Sequence, residues 1–242
     1  MEKTNLIGFI NKYYLNGNVI KVIINSTEDN KLHCKFISDT KSVIGEMTMN
    51  NISFNKACSI GIYDSASFIK LLSALNDEFE VDIFEVDDEA KYITFKDDIK
   101  KAKYVLSHPD IIPGAPKEIK FPSFDIEIDV DEDFISNFIK SKNALVDANT
   151  FVFKEEKGAL KVILNYDEAN QSVNTIAFDV GDTKVELKDV IHFDANIFKE
   201  VLSVNRNDFD TGIIKVSSKG LMEIKFKSDD YEAIYYLVML NK

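Results

Sequence analysis

Ile60-Gly61-Ile62-Tyr63-Asp64-Ser65-Ala66-Ser67-Phe68-Ile69-Lys70-Leu71-Leu72-Ser73 recurs 130 residues later as Val190-Ile191-His192-Phe193-Asp194-Ala195-Asn196-Ile197-Phe198-Lys199-Glu200-Val201-Leu202-Ser203. In each copy an aspartate precedes a phenylalanine by four residues, and a Leu-Ser pair closes the stretch. An aspartate just before an apolar-periodic run suits a helix N-cap, because its carboxylate can accept the unpaired N–H groups of the first turn. Phe68, Leu71 and Leu72 then fall on one face of that helix, as do Phe198, Val201 and Leu202. The register continues without a gap: Asp77-Glu78-Phe79-Glu80 stands opposite Asn207-Asp208-Phe209-Asp210, and Ile83 opposite Ile213. Near the start of each half, Leu6, Phe9 and Ile10 match Ile135, Phe138 and Ile139. So long a period points to two copies of one domain, not to a solenoid of short repeats.

Composition agrees. A chain of 242 residues is long enough for two domains of ordinary size, each with a core of its own. A hydrophobic content of 45% with 11% aromatic residues excludes wholesale disorder. No apolar run approaches membrane-spanning length, and Met1-Glu2-Lys3-Thr4-Asn5 lacks a signal-peptide pattern, so the expectation is a soluble cytoplasmic protein with no membrane partner. Cys34 and Cys58 are far apart and outside any paired-cysteine motif, as expected of reduced thiols.

The pattern of strands and helices places this duplication in the α+β class. Four amphipathic helices are expected at about 3–15, 64–76, 131–145 and 194–206, with Asp64 and Asp194 as N-caps and Asp131, Glu132 and Asp133 at the positive end of the third helix dipole. Between them, runs such as 19–24, 32–37, 80–86, 92–95, 150–153, 160–164, 175–180, 213–216, 222–226 and 233–240 are rich in β-formers and separated by polar turns. Each half therefore reads helix, strands, helix, strands, which predicts antiparallel sheets with helices on one face.

The formal net charge is −12, which alone argues against a conventional nucleic-acid binder. The distribution of charge argues differently. The outward stretches of the four helices carry Lys3, Lys12, Lys70, Lys140, Lys142, Lys199 and Arg206, and past the capping turns the helices hold one acid, Glu200. Charged outer faces are also what any solvated amphipathic helix displays.

All four prolines lie in the stretch from Pro109 to Pro122, which marks an extended connector between the halves. Its apolar pair, Ile111 and Ile112, either meets a partner or pins the connector to a domain. The expected organisation is a first domain at 1–107, a connector at 108–121 and a second domain at 122–242.

Catalytic patterns are missing. The nine glycines form no phosphate loop, and His33, His108 and His192 show no helical metal-pair spacing. Asp129-Val130-Asp131-Glu132-Asp133 starts like a calcium loop, but Phe134 stands where glycine is needed and Lys140 where glutamate is needed. No enzyme activity, metal or cofactor is expected.

In Ile62-Tyr63-Asp64 with Phe68 and Leu71-Leu72, in Asn76-Asp77, in the proline connector ending at Phe121-Pro122, and in the Glu132-Asp133 entry to the third helix, the chain resembles the T4-type bacteriophage sliding clamps, the processivity factors of replicative DNA polymerases. The likeness runs through the whole chain in order. One departure is that Arg206 is the only arginine, where the family mixes Arg with Lys. The resemblance implies a DNA-clamp (processivity) fold of two duplicated domains, each with two helices packed on antiparallel sheets. It further implies a homotrimeric ring around duplex DNA, bound without sequence preference, with Lys3, Lys12, Lys70, Lys140, Lys142, Lys199 and Arg206 facing the DNA. Strand edges near Tyr104 and Val105 would meet a neighbour's strand near Ile176 and Phe178. A DNA polymerase and an ATP-dependent clamp loader would dock peptides near Ile111, Ile112, Leu237 and Val238. A phage-encoded clamp would work in the host cytoplasm. The alternative is an acidic, duplicated interaction or structural module with no dependence on DNA.

Overall fold

The computed structural model describes residues 1–54, 56–116, 121–170, 172–182 and 190–240. Positions 117–120 of the expected connector lie outside the described residues. The chain divides into two compact units, Met1–Lys117 with Asp229–Ala233, and Glu118–Ser228 with Ile234–Lys242.

The first unit runs α1 (Lys3–Tyr14), β1 (Val22–Ser26), β2 (Leu32–Ile37), β3 (Val43–Met49), β4 (Cys58–Ile62), α2 (Ser65–Ser73), β5 (Glu80–Val86), β6 (Glu89–Lys96) and β7 (Lys101–Val105). The second runs β8 (Ile126–Asp129), α3 (Glu132–Ala144), β9 (Thr150–Glu156), β10 (Ala159–Leu164), β11 (Ile176–Asp182), β12 (Phe193–Asp194), α4 (Ala195–Asn205), β13 (Thr211–Ser217), β14 (Leu221–Lys227) and β15 (Tyr231–Val238), the last divided between the units after Ala233. Apart from β8 the two orders are the same. In the first unit the strands are ordered β4-β1-β2-β3 and β5-β6-β7; in the second, β11-β10-β9-β12 and β15-β14-β13-β8. The recorded pairings are antiparallel.

The helices begin where the aspartates allow. Asp64 accepts from the Ser67 N–H at 2.9 Å, Asp131 from Phe134 at 2.7 Å, and Asp194 from Asn196 at 2.8 Å and Ile197 at 2.9 Å. Each bond satisfies an N–H that the helix itself leaves unpaired. α1 has no side-chain cap, and its start is held by the Lys3 N–H donating to the Asp77 carbonyl at 2.8 Å. All four expected helices are present with ends within a few residues of those read from the sequence.

Aromatic residues fasten the helices to the sheets. In the second unit Phe138 of α3 meets Phe151 of β9 edge-on at 5.0 Å and Phe198 of α4 at 4.6 Å, while Phe151 stacks on Phe198 at 4.6 Å. In the first, Phe68 of α2 lies 4.7 Å from Tyr104 and 5.8 Å from Phe95. The Tyr104 hydroxyl donates to the Asp64 carbonyl at 3.0 Å, so a strand residue also steadies the capping turn of α2. Strand β3 was not anticipated from the sequence. It alternates as a half-buried strand should, with Val43, Gly45, Met47 and Met49 inward, but Gly45 contributes no apolar signal.

The chain leaving β7 is tied to β4. The Ser107 N–H donates to the Gly61 carbonyl at 2.9 Å, and a Cβ at Gly61 would lie 2.3 Å from the Ser107 oxygen and 2.9 Å from Ile112 Cδ1. Only glycine permits this approach. The expected exposed pair therefore splits: Ile111 is 60% exposed, whereas Ile112 is 5% exposed and packs over Gly61. Of the two roles the sequence left open, Ile112 pins the connector.

Asp97 closes the turn between β6 and β7, accepting backbone N–H groups from Asn76 at 2.8 Å, Ile99 at 2.8 Å and Lys100 at 2.5 Å. These donors, Asn76 first, hold its carboxyl below the usual aspartate range. A depressed folded pKa adds stability that is present above the unfolded value of about 3.9 and is lost as pH falls through the folded value. Asp97→Asn is expected to unfold more easily at neutral pH and to lose less further stability on acidification than the parent, as urea titrations across that pH window would show. Phe138→Ala is expected to cost about 3 to 5 kcal/mol in the same assay, because it empties the centre of the α3–α4–β9 cluster.

Candidate nucleic-acid interface

Two helices pack side by side in each unit, α1 with α2 and α3 with α4. Their apolar stripes face the sheets, which leaves one outward stripe per helix. On α2 that stripe carries Ser67, Lys70 and Ser73; on α3, Asn137, Lys140 and Asn143; on α4, Asn196 and Ser203 around a half-buried Lys199; on α1, Thr4 and Asn11. The three- and four-residue spacing aligns each set along its helix. Acids are confined to the first turns, at Asp64, Asp131, Glu132, Asp133 and Asp194, with Glu200 half-buried. The faces thus combine ammonium groups, which can meet phosphate oxygens without reading bases, with neutral amides and hydroxyls that add no repelling charge; the hydroxyls of Ser67, Ser73 and Ser203 donate within their own helices, to Asp64, Ile69 and Lys199. Sequence reasoning counted the charges and missed the neutral residues, whose signal was the absence of acids at those spacings.

The basic set does not stay whole. Lys70, Lys140 and Arg206 are exposed and Lys199 is half-buried. Lys3 is held inward, its ammonium donating to the Leu75 carbonyl at 2.9 Å and pairing with Asp77 at 3.0 Å. Lys12 was expected on the outside and is 1% exposed, with its ammonium 3.9 Å from the centre of the Tyr231 ring. It stands three residues after Phe9, on the flank of the apolar stripe, so its stem is covered and its charge rests on an aromatic face. Lys142 is buried as well, four residues after Phe138, and its ammonium donates to the Val146 carbonyl at 2.7 Å beyond the end of α3. Both lysines serve their own unit's packing.

A cationic contact not anticipated lies at the entry to α2. The Lys21 ammonium sits 4.4 Å from the ring centre of exposed Tyr63. The matching residue of the repeat, Phe193, is fully buried.

Of the residues expected at a subunit interface, Tyr104 and Phe178 turn toward helices in their own units, Phe178 standing 5.9 Å from Phe134. Val105 is 70% exposed. Strands β7 and β11 are each the outer strand of their order, so among the described strands neither has a partner on its far side. Exposed Lys101 and Lys103 mark β7, and exposed Asp179 marks β11, with Lys161 3.8 Å from it. Among the expected peptide-groove residues, Val238 and Ile111 are exposed. Leu237 is buried because β15 alternates and Leu237 falls on its inner face, so it cannot line an outer groove. Among the described residues, no group of three or more His, Cys, Asp or Glu side chains could hold a metal ion, and no helix is long and apolar enough to cross a membrane.

The sequence matches no protein-family model and none of the curated proteins compared with it. Solved structures do resemble it. Similar to it are A. fulgidus PCNA, in a structure with the C-terminal region of FEN-1 bound (15% identity, TM-score 0.74, 100% of this chain and 97% of that one), and proliferating cellular nuclear antigen from Entamoeba histolytica (14%, 0.70, 100% and 97%). The PCNA2–PCNA3 complex from Sulfolobus tokodaii is similar at 14% identity and a TM-score of 0.68, over 99% of this chain and 97% of that one. Identities this low carry the architecture alone, and over essentially its whole length this chain has the DNA-clamp fold.

Proposed function

We propose that the protein is a sliding clamp of the T4 phage type, a homotrimer of two-domain subunits that encircles duplex DNA and tethers a DNA polymerase for processive synthesis. The observation that carries this reading is the segregation of charge. A chain of net charge −12 keeps acids off the outward stripes of its helices beyond their first turns, Glu200 excepted, and places Lys70, Lys140, Lys199 and Arg206 there. Such stripes lining a closed ring would meet phosphates while the acidic remainder repels DNA from the outside. Contacts to phosphate alone hold the duplex without fixing a position along it.

Ring closure would use the edges of β7 and β11, whose Lys101 and Lys103 on one side and Asp179 on the other are complementary in charge. Three copies would bring six domains together, taken as 1–107 and 122–242 with the connector at 108–121. The FEN-1 segment bound to A. fulgidus PCNA supports peptide docking as the mode of partner binding, and Ile111 and Val238 are the exposed apolar candidates here. An ATP-dependent loader would open the ring, the clamp itself catalysing nothing, in the cytoplasm of the host cell.

Native mass spectrometry over a concentration series is expected to find a species of 3 × 27.5 kDa, about 82 kDa, that dissociates on dilution and at high salt. A chain that stays monomeric at high concentration would make the acidic interaction module the better reading. Lys70→Glu with Lys140→Glu is expected to leave the melting temperature and the trimer unchanged while retention on circular DNA falls at least about tenfold, since each lost phosphate contact weakens binding and flattens its salt dependence. Full retention in that variant would remove the helices from the DNA contact.

A further inference from the structure

Strand β4 is the outermost strand of the order β4-β1-β2-β3, and among the described residues its outer edge is only partly covered. The cover is Ser107, whose N–H reaches the Gly61 carbonyl, so Gly61 directs its backbone oxygen away from β1. Backbone direction alternates along a strand with a period of two. Ser59, opposite Asn25 as Gly61 is opposite Ile23, therefore also turns its N–H and carbonyl outward. Continued antiparallel from Ser107 and Gly61, the connector would bring position 109 opposite Ser59. That residue is Pro109, which has no N–H to offer, and there the chain leaves β4 in the short helical turn Pro109–Ile111. The ladder stops one step short of Ser59.

Beside that uncovered step lies a groove of about 590 Å³, with Cys58, Ala90 and Leu106 among its apolar lining. Its walls are joined by ion pairs of lining residues. Lys56 ahead of β4 pairs with Glu85 at 2.7 Å, and His108 in the connector meets Glu89 of β6 at 3.3 Å. The lining carries four carboxylates, Glu85, Asp88, Glu89 and Asp110, against two ammonium groups, Lys56 on Glu85 and Lys91 on Glu89, and the imidazole of His108, so that among the described residues Asp88 and Asp110 are the acids with no ammonium beside them.

We infer that this groove and the open edge of β4 form a docking site for an extended, basic segment of a partner protein, which adds as a strand at Ser59. Main-chain hydrogen bonds to Ser59 supply the attachment, and the carboxylates of the rim select for Lys or Arg side chains on the added strand. The site lies wholly within the first unit and requires neither ring closure nor DNA, so it stands or falls apart from the clamp reading.

The test is fluorescence anisotropy of a labelled (Lys-Val)4 peptide titrated with the full-length protein, with (Glu-Val)4 as control. Saturable binding of the lysine peptide alone is expected, with amide-exchange protection appearing at residues 57–60. Two variants separate the contributions: Ser59→Pro removes the edge N–H, and Asp88→Asn with Asp110→Asn removes two rim charges. Each is expected to weaken binding about tenfold or more, with melting curves confirming that the variants are folded. If Ser59→Pro does not fold, the double variant and the exchange footprint carry the test. Asp229→Asn with Asp230→Asn makes the same change in net charge elsewhere and is expected to bind like the parent. Absence of saturable binding, or equal weakening by the two double variants, would overturn the assignment, the latter by reducing the effect to general attraction toward an acidic protein.

Discussion

A helix of about a dozen residues with one apolar stripe is not stable alone in water and stays ordered only while something covers that stripe. Everything else in this fold follows from meeting that requirement four times with antiparallel strands. Phe68 against Tyr104 and Phe95, and Phe138 and Phe198 against Phe151, are the points at which the cover is made. Once a helix is seated on a sheet its opposite face must look outward. The character of that face is then free to serve something other than folding.

Much of this could be read from residue order. The Asp64–Phe68 and Asp194–Phe198 spacings announce capped, amphipathic helices, and their recurrence announces the duplication, because capping and burial depend on local geometry that sequence spacing encodes directly. The failures have a common physical origin. Charge alone puts Lys12 and Lys142 on the surface, yet a lysine three or four residues from a core phenylalanine lies near the buried side and can seat its ammonium on a ring or a carbonyl. Ile112 and Leu237 could not be sorted from their exposed neighbours, since which of two adjacent apolar residues points inward depends on contacts distant in sequence. β3 went unseen because Gly45 breaks its apolar pattern, and the edge status of β7 and β11 is a property of sheet order, to which local sequence is blind.

The two copies have not diverged evenly. The cap aspartates of α2 and α4, the helix stripes and, β8 apart, the strand order remain alike, whereas Asp131 caps α3 and its counterpart α1 has no side-chain cap. The residue just before the cap has changed environment, from exposed Tyr63 beside Lys21 in one copy to buried Phe193 in the other. At that position one copy keeps an exposed ring beside an ammonium, and the other buries the ring in its core, where Phe193 lies 5.9 Å from Phe151.

The contact between Ser107 and Gly61 also has a mechanical meaning. A pull applied along the connector does not arrive first at β7. It meets the hydrogen bond to Gly61 and the Ile112 side chain seated on it, so the load enters β4. Two residues past the end of that strand stands Asp64, the cap of α2. Tension in the connector is thereby shared with the strand that leads into the first turn of α2.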